Sequence, residues 1–142
     1  MDKGINLDLS KYRFERAKTT LDTAKNIFDY GDTNASANRS YYAVFYAMLA
    51  VTSLDGFEAS KHSSVISYFN RNYVKTKIFS GSISDMIRTA FRMRTNADYE
   101  DFYKVSPDRA KIMIEYAEKV INMIQPYLEK CWEEIKNSKE VI

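Results

Sequence analysis

The 142-residue chain is 45% hydrophobic and 28% charged, with four glycines, two prolines and one cysteine. That length suits one domain with a real core, and the scarcity of turn formers favours helices over strands. A single cysteine, Cys131, excludes an internal disulfide; no apolar run reaches the roughly 18 residues of a membrane span, and the first residues lack a signal-peptide pattern, so we expect a cytoplasmic chain with no membrane association.

Helix 1 is expected from Asp8 or Ser10 to Tyr30, because Phe14, Ala17, Leu21, Ala24 and Phe28 recur at three- and four-residue spacing. Asp8 or Ser10 suits the N-cap, and Gly31-Asp32 supplies a left-handed stop. Helix 2 enters through Thr33 to Ser36 and runs to a turn at Asp55-Gly56. From Tyr41 to Val51 it is apolar without a break. Helical spacing divides it into three stripes: Asn38, Tyr42, Phe45 and Leu49; Tyr41, Val44, Met48 and Val51; and the small residues Ala43, Ala47 and Ala50. A helix apolar all round is surrounded by neighbours, so this one is expected to be the central rod of a bundle.

Helix 3 is expected over Lys61 to Tyr73, capped by Ser60, with His62, Val65, Ile66, Phe69 and Tyr73 on one face. Val74 to Gly81 reads as a connector anchored at Ile78-Phe79. Helix 4 follows from Ser82 or Ser84 to about Phe102, with Ile83, Met86, Ile87, Ala90, Phe91 and Ala97 inward. Arg94 and Asp98 fall on that apolar face, while Arg88 and Arg92 point away. Ser106-Pro107-Asp108 is a helix start, and helix 5 carries Ala110, Ile114, Ala117, Ile121, Ile124, Leu128 and Ile135 on one stripe. Pro126 is expected to bend or divide it, and Lys136 to Ile142 to fray.

The net charge of +2 conceals an asymmetry. Between Lys61 and Ala97, seven basic residues meet one acid, Asp85, whereas the stretches on either side are weakly acidic. Such a segment suits a phosphate-bearing partner, or is simply a solvated basic surface. One histidine and one cysteine far apart do not make a zinc site, and no phosphate-binding loop or serine-hydrolase elbow occurs. No metal or cofactor is therefore expected.

What remains is a set of polar groups on otherwise apolar faces: Asn38, Arg39, Tyr42, His62, Arg94, Asp98 and Tyr99. One reading is structural, with Asp98 paired to one or both arginines. The other is functional, with the arginines gripping phosphate and His62 moving a proton.

At these residues the chain resembles the HEPN family, in its stand-alone prokaryotic branch associated with small nucleotidyltransferases. Three segments carry the resemblance: Asn38-Arg39-Ser40-Tyr41-Tyr42-Ala43-Val44-Phe45-Tyr46-Ala47; Ser60-Lys61-His62 with Val65-Ile66 and Phe69-Asn70; and Arg94-Thr95-Asn96-Ala97-Asp98-Tyr99. It implies an all-α, up-and-down bundle of four to five helices over residues 1–142, with a core from about 9 to 128 and a helical extension to about 137. It also implies a homodimer, a nucleotidyltransferase partner, and RNA or nucleotide binding within a toxin–antitoxin type system. The binding candidates are Asn38, Arg39, Tyr42, Lys61, His62, Arg92, Arg94, Asp98 and Tyr99.

Nuclease members of the wider family carry Arg-x(4 to 6)-His. Here Arg92 is followed, after five residues, by Asp98. A carboxylate is acceptor-only at neutral pH and cannot replace an imidazole as general acid. The chain is therefore expected to be a binding module. The alternative is a metal-independent ribonuclease toxin using an arginine, Arg94 or Arg39, with His62.

Overall fold

The computed structural model describes residues 3–140, and every regular element among them is helical. α1 spans Lys3–Tyr30, α2 Thr33–Thr52, α3 His62–Phe69, α4 Gly81–Tyr99 and α5 Pro107–Glu140. A 3-10 turn, Ser53–Asp55, extends α2, and a π turn, Asn70–Val74, extends α3. The fold is an all-α bundle. None of the described helices is long and apolar enough to cross a membrane.

α2 is the central rod. The other four helices all pack on it. Its alanine stripe, Ala43, Ala47 and Ala50, is wholly buried, as is the stripe Tyr41, Val44, Met48 and Val51. Burial of Val44, Met48 and Val51 contributes about 1.5–3 kcal/mol each. The third stripe is only partly covered: Phe45 is buried, but Asn38, Tyr42 and Leu49 are half-buried. That incompletely covered stripe positions the site described below.

The helix ends follow local chemistry. Gly31, at φ 107°, ends α1 in the left-handed region, and its N–H and that of Asp32 both return to the carbonyl of Ile27. Asp32 then caps α2, its carboxylate accepting the N–H of Ala35 at 3.0 Å. Gly56, at φ 71°, closes the turn after α2. Ser106 accepts from the N–H of Arg109 at the start of α5.

Several boundaries differ from the sequence expectation. α1 begins at Lys3, so Asp8 and Ser10 lie inside the helix and do not cap it. Ser10 is buried and bonds sideways instead, donating to the carbonyl of Ala50 at 2.6 Å and accepting from Nε1 of Trp132 at 2.9 Å. Lys61, not Ser60, stands at the N-cap of α3, because the N–H groups of Ser64 and Val65 turn back to its carbonyl. The expected α-helix to Tyr73 widens into the π turn, with the N–H of Lys75 bonded to the carbonyl of Asn70. The turn leaves Tyr73 buried against Phe69 and Phe79. Of the expected anchor pair, only Phe79 is buried; Ile78 is exposed.

α4 stops at Tyr99 rather than Phe102. Asn34 captures the chain beyond it, donating to the carbonyl of Tyr103 at 3.0 Å and accepting from the N–H of Val105 at 2.7 Å. Phe102 is left fully exposed at φ 63°. α5 runs through Pro126 undivided. Pro126 and Asn122, whose carbonyl loses its helical partner, are both on the exposed side. The expected fraying falls partly on residues 141 and 142, which lie outside the described residues; the helix continues to Glu140.

Candidate functional site

The half-covered stripe of α2 meets the C-terminal half of α4 and the first turn of α3. Arg94 and Asp98, one turn apart on α4, form an ion pair with Nε 2.9 Å from Oδ2. The N–H of Nε is not aligned with that oxygen, so the contact is electrostatic rather than a directed hydrogen bond. The Arg94 side chain is 14% exposed and that of Asp98 27% exposed. The same Oδ2 accepts from Nδ2 of Asn38 at 3.0 Å. Asn38 in turn accepts two bonds from Arg39, from Nε at 3.1 Å and from Nη2 at 2.9 Å.

Tyr42 is in contact with both guanidinium groups. Its hydroxyl accepts from Nη2 of Arg94 at 3.1 Å. The Cζ of Arg39 stands 4.7 Å from its ring centroid and that of Arg94 5.4 Å. Arg94 also lies 5.6 Å from the ring of the exposed Tyr99. These distances are within the range of cation–π attraction, which holds each guanidinium against an aromatic ring without neutralising it. Arg94 is paired with Asp98, whereas Arg39 enters no ion pair among the described residues and bonds to the neutral Asn38. Such guanidinium groups offer a fork of donors suited to phosphate oxygens.

His62 enters from α3. Its ring stacks on Phe45 at 4.0 Å between centroids, and its Nδ1 lies 2.8 Å from the hydroxyl of Tyr41. Arg94 stands 5.4 Å above the Tyr41 ring. Tyr41 thus connects the imidazole to the arginine cluster. Burial lowers the His62 pKa from its ordinary 6.5, and the positive charge of Arg94 lowers it further. Burial raises that of Tyr41, so the phenol keeps its proton. With the hydroxyl as donor and Nδ1 as acceptor, the neutral ring carries its proton on Nε2.

A family model described as the HEPN domain matches residues 10–131. The chain belongs to the HEPN family. It is 31% identical over 119 residues to a UPF0332 protein of Thermotoga maritima, covering 84% of this chain and 90% of that one. It is 24% identical over 114 residues to a protein of Methanocaldococcus jannaschii named as a candidate toxin, covering 80% and 78%.

Within this HEPN domain, seven of the residues singled out in the sequence come together: Asn38, Arg39, Tyr42, His62, Arg94, Asp98 and Tyr99. Lys61 and Arg92 do not join them. Both are exposed, and among the described residues no hydrogen bond, ion pair or cation–π contact ties either to the cluster. Their charges count toward the basic segment, but Lys61 at the N-cap of α3 and Arg92 on the exposed side of α4 stand apart from the cluster. Arg88 is likewise turned away and paired with Asp85 at 3.1 Å.

Two residues were missed. Tyr41 reads as a member of an apolar stripe and is indeed buried, yet its hydroxyl makes the link to His62. Phe45 supplies the surface on which the imidazole rests. The signal for Tyr41 was present, because a buried tyrosine needs a partner for its hydroxyl.

Proposed function

We propose that this HEPN domain is a binding module for nucleotide or RNA phosphate, acting as one component of a nucleotidyltransferase-linked, toxin–antitoxin type system and as a homodimer. The observation that carries the phosphate reading is the placement of Arg39 and Arg94 both against the Tyr42 ring, with Arg94 paired to Asp98 and Arg39 in no ion pair among the described residues. The relative named as a candidate toxin supports the system-level reading. The stripe of α2 that the chain's own helices leave half-covered supports the dimer reading. Phosphate binding of this kind is expected to weaken steeply with salt. Fluorescence anisotropy with labelled oligoribonucleotide tests it: Arg39→Gln and Arg94→Gln should each weaken binding about tenfold, the scale of one charge-assisted hydrogen bond. Unchanged binding in both variants would overturn the assignment. A 16.5 kDa particle by light scattering at micromolar concentration would overturn the dimer.

A second reading, metal-independent cleavage of RNA, has one observation in its favour: Tyr41 couples a neutral His62 to Arg94. Chelator-resistant cleavage that disappears in His62→Ala would establish it. Asp98 is engaged by Arg94 and Asn38, so the acid and base roles would both fall to histidine.

A further inference from the structure

Beside the arginine cluster, bounded by α1, the C-terminal half of α2 and the segment before α3, lies a groove of about 430 Å³. Phe45, Leu49 and Phe57 give it apolar walls, and Arg13, Glu58 and His62 are its charged or titratable members. Small-molecule pockets are commonly built this way, with a mostly apolar lining and a few placed polar groups.

Arg13 is half-buried and fixed, donating from Nη1 to the hydroxyl of Ser53 at 2.6 Å. None of the ion pairs among the described residues includes it. Four of its five N–H donors are thus left for another acceptor. Phe57 is held in place by stacking on Tyr68 at 3.9 Å. The imidazole of His62 has its Nδ1 committed to Tyr41, which leaves Nε2 for a ligand in the groove. A fixed guanidinium, a flat apolar wall and an imidazole edge together suit a planar aromatic group bearing an anion.

We propose that this groove holds one nucleoside monophosphate unit, with its base against Phe57 and Leu49 and its phosphate at Arg13. The proposal rests on the nucleotide reading above and adds to it a second contact region, joined to the first through His62. The histidine belongs to both: its Nδ1 lies beside the hydroxyl of Tyr41, whose ring Arg94 approaches, and its side chain lines the groove. Glu58 opposes a phosphate in charge, but it is exposed, where water and salt screen it.

The unit could be a free nucleotide or part of RNA, and the test separates these. His62 is the only histidine, so its imidazole signal in NMR is assigned without ambiguity. Addition of AMP to the full chain should shift that signal if a free nucleotide is taken. Labelled hexaadenylate should bind, by anisotropy, if RNA is taken. Arg13→Gln should weaken whichever binds by about tenfold. Phe57→Leu should weaken it by several fold, consistent with base–aromatic stacking. Glu58→Gln, at an exposed position, should tighten it by about two- to threefold as a repulsive charge is removed. If hexaadenylate or AMP binds but responds to none of these three variants, the groove is not the site and the arginine cluster alone stands. If neither ligand binds the unmodified protein, the groove and the nucleotide reading both fall.

Discussion

The hydroxyl of Tyr41 on α2 and the Nδ1 of His62 on α3 lie 2.8 Å apart, and this bond fixes which nitrogen of the only histidine is free. It also links the protonation of His62 to the fold. Burial, then Arg94, depresses the native pKa of His62 below 6.5. The unfolded chain therefore binds this proton more readily than the native one. The sign follows: the stabilising contribution is fully present above pH 6.5 and is lost as pH falls through the native pKa. Urea midpoints of the unmodified protein should decline between pH 7.5 and pH 5 more than those of His62→Gln. Titration of the single imidazole by NMR gives the direct check. A midpoint at or above 6.5 would show that neither burial nor Arg94 acts as described.

Asp98 has a structural consequence separable from any ligand. Its Oδ2 receives both Arg94 and Asn38. Asp98→Asn removes the charge that balances Arg94 but keeps an acceptor oxygen. Because the pair is only part-buried, the loss should be about 1–2 kcal/mol, below the 3–5 typical of breaking a fully buried pair. A denaturant midpoint shifted no further than by an exposed substitution such as Glu115→Gln would mean that water already screens the pair. If phosphate binds at Arg94, the same variant should bind oligoribonucleotide more tightly.

Much of this arrangement was legible in the sequence, for reasons visible at particular residues. α2 carries apolar side chains in every direction, and only a central helix accommodates that. Arg94 and Asp98 stand four residues apart on an apolar face, so their pairing needs no tertiary information. The connection from Arg94 through Tyr41 to His62 needs three helices in register, and no local pattern encodes it. Arg13, which lines the groove beside His62, was not singled out either. It lies on the polar side of α1, and only packing against the end of α2 brings it to Ser53. Lys61 and Arg92, counted with the basic segment, are exposed and lie apart from the cluster. A charge count over a segment ignores which face each side chain occupies. The early start of α1 was illegible because Ser10, a good cap by composition, is bonded sideways across the bundle.

Ser10 carries the next expectation. Its hydroxyl joins three helices, reaching Ala50 of α2 and Trp132 of α5. Ser10→Ala leaves the indole N–H and a carbonyl acceptor without this partner. The cost should be about 1–3 kcal/mol, the penalty for an unmade buried hydrogen bond. Trp132 is the only tryptophan, so its emission reports on this contact. A shift in emission with a lowered midpoint is expected. An unchanged spectrum and midpoint would mean that water replaces the hydroxyl on both sides.

Asn34 holds the turn between α4 and α5 through two opposed hydrogen bonds, and its removal should loosen that corner before the rest. Asn34→Ala strands the carbonyl of Tyr103 and the N–H of Val105. Val105 is buried, so its amide has little access to water as a substitute. The expected cost is about 2–3 kcal/mol, set mainly by the unsatisfied amide. Asn34→Asp keeps an acceptor for Val105 while losing the donor to Tyr103, and should retain roughly half of the stability lost in the alanine variant. Hydrogen exchange distinguishes a local from a global effect. The Val105 amide should exchange much faster in Asn34→Ala, while amides of Val44 and Met48 in α2 change only as far as overall stability requires. Equal acceleration at all three positions would show that the corner does not open on its own. An unprotected Val105 amide in the unmodified protein would show that Asn34 does not hold it.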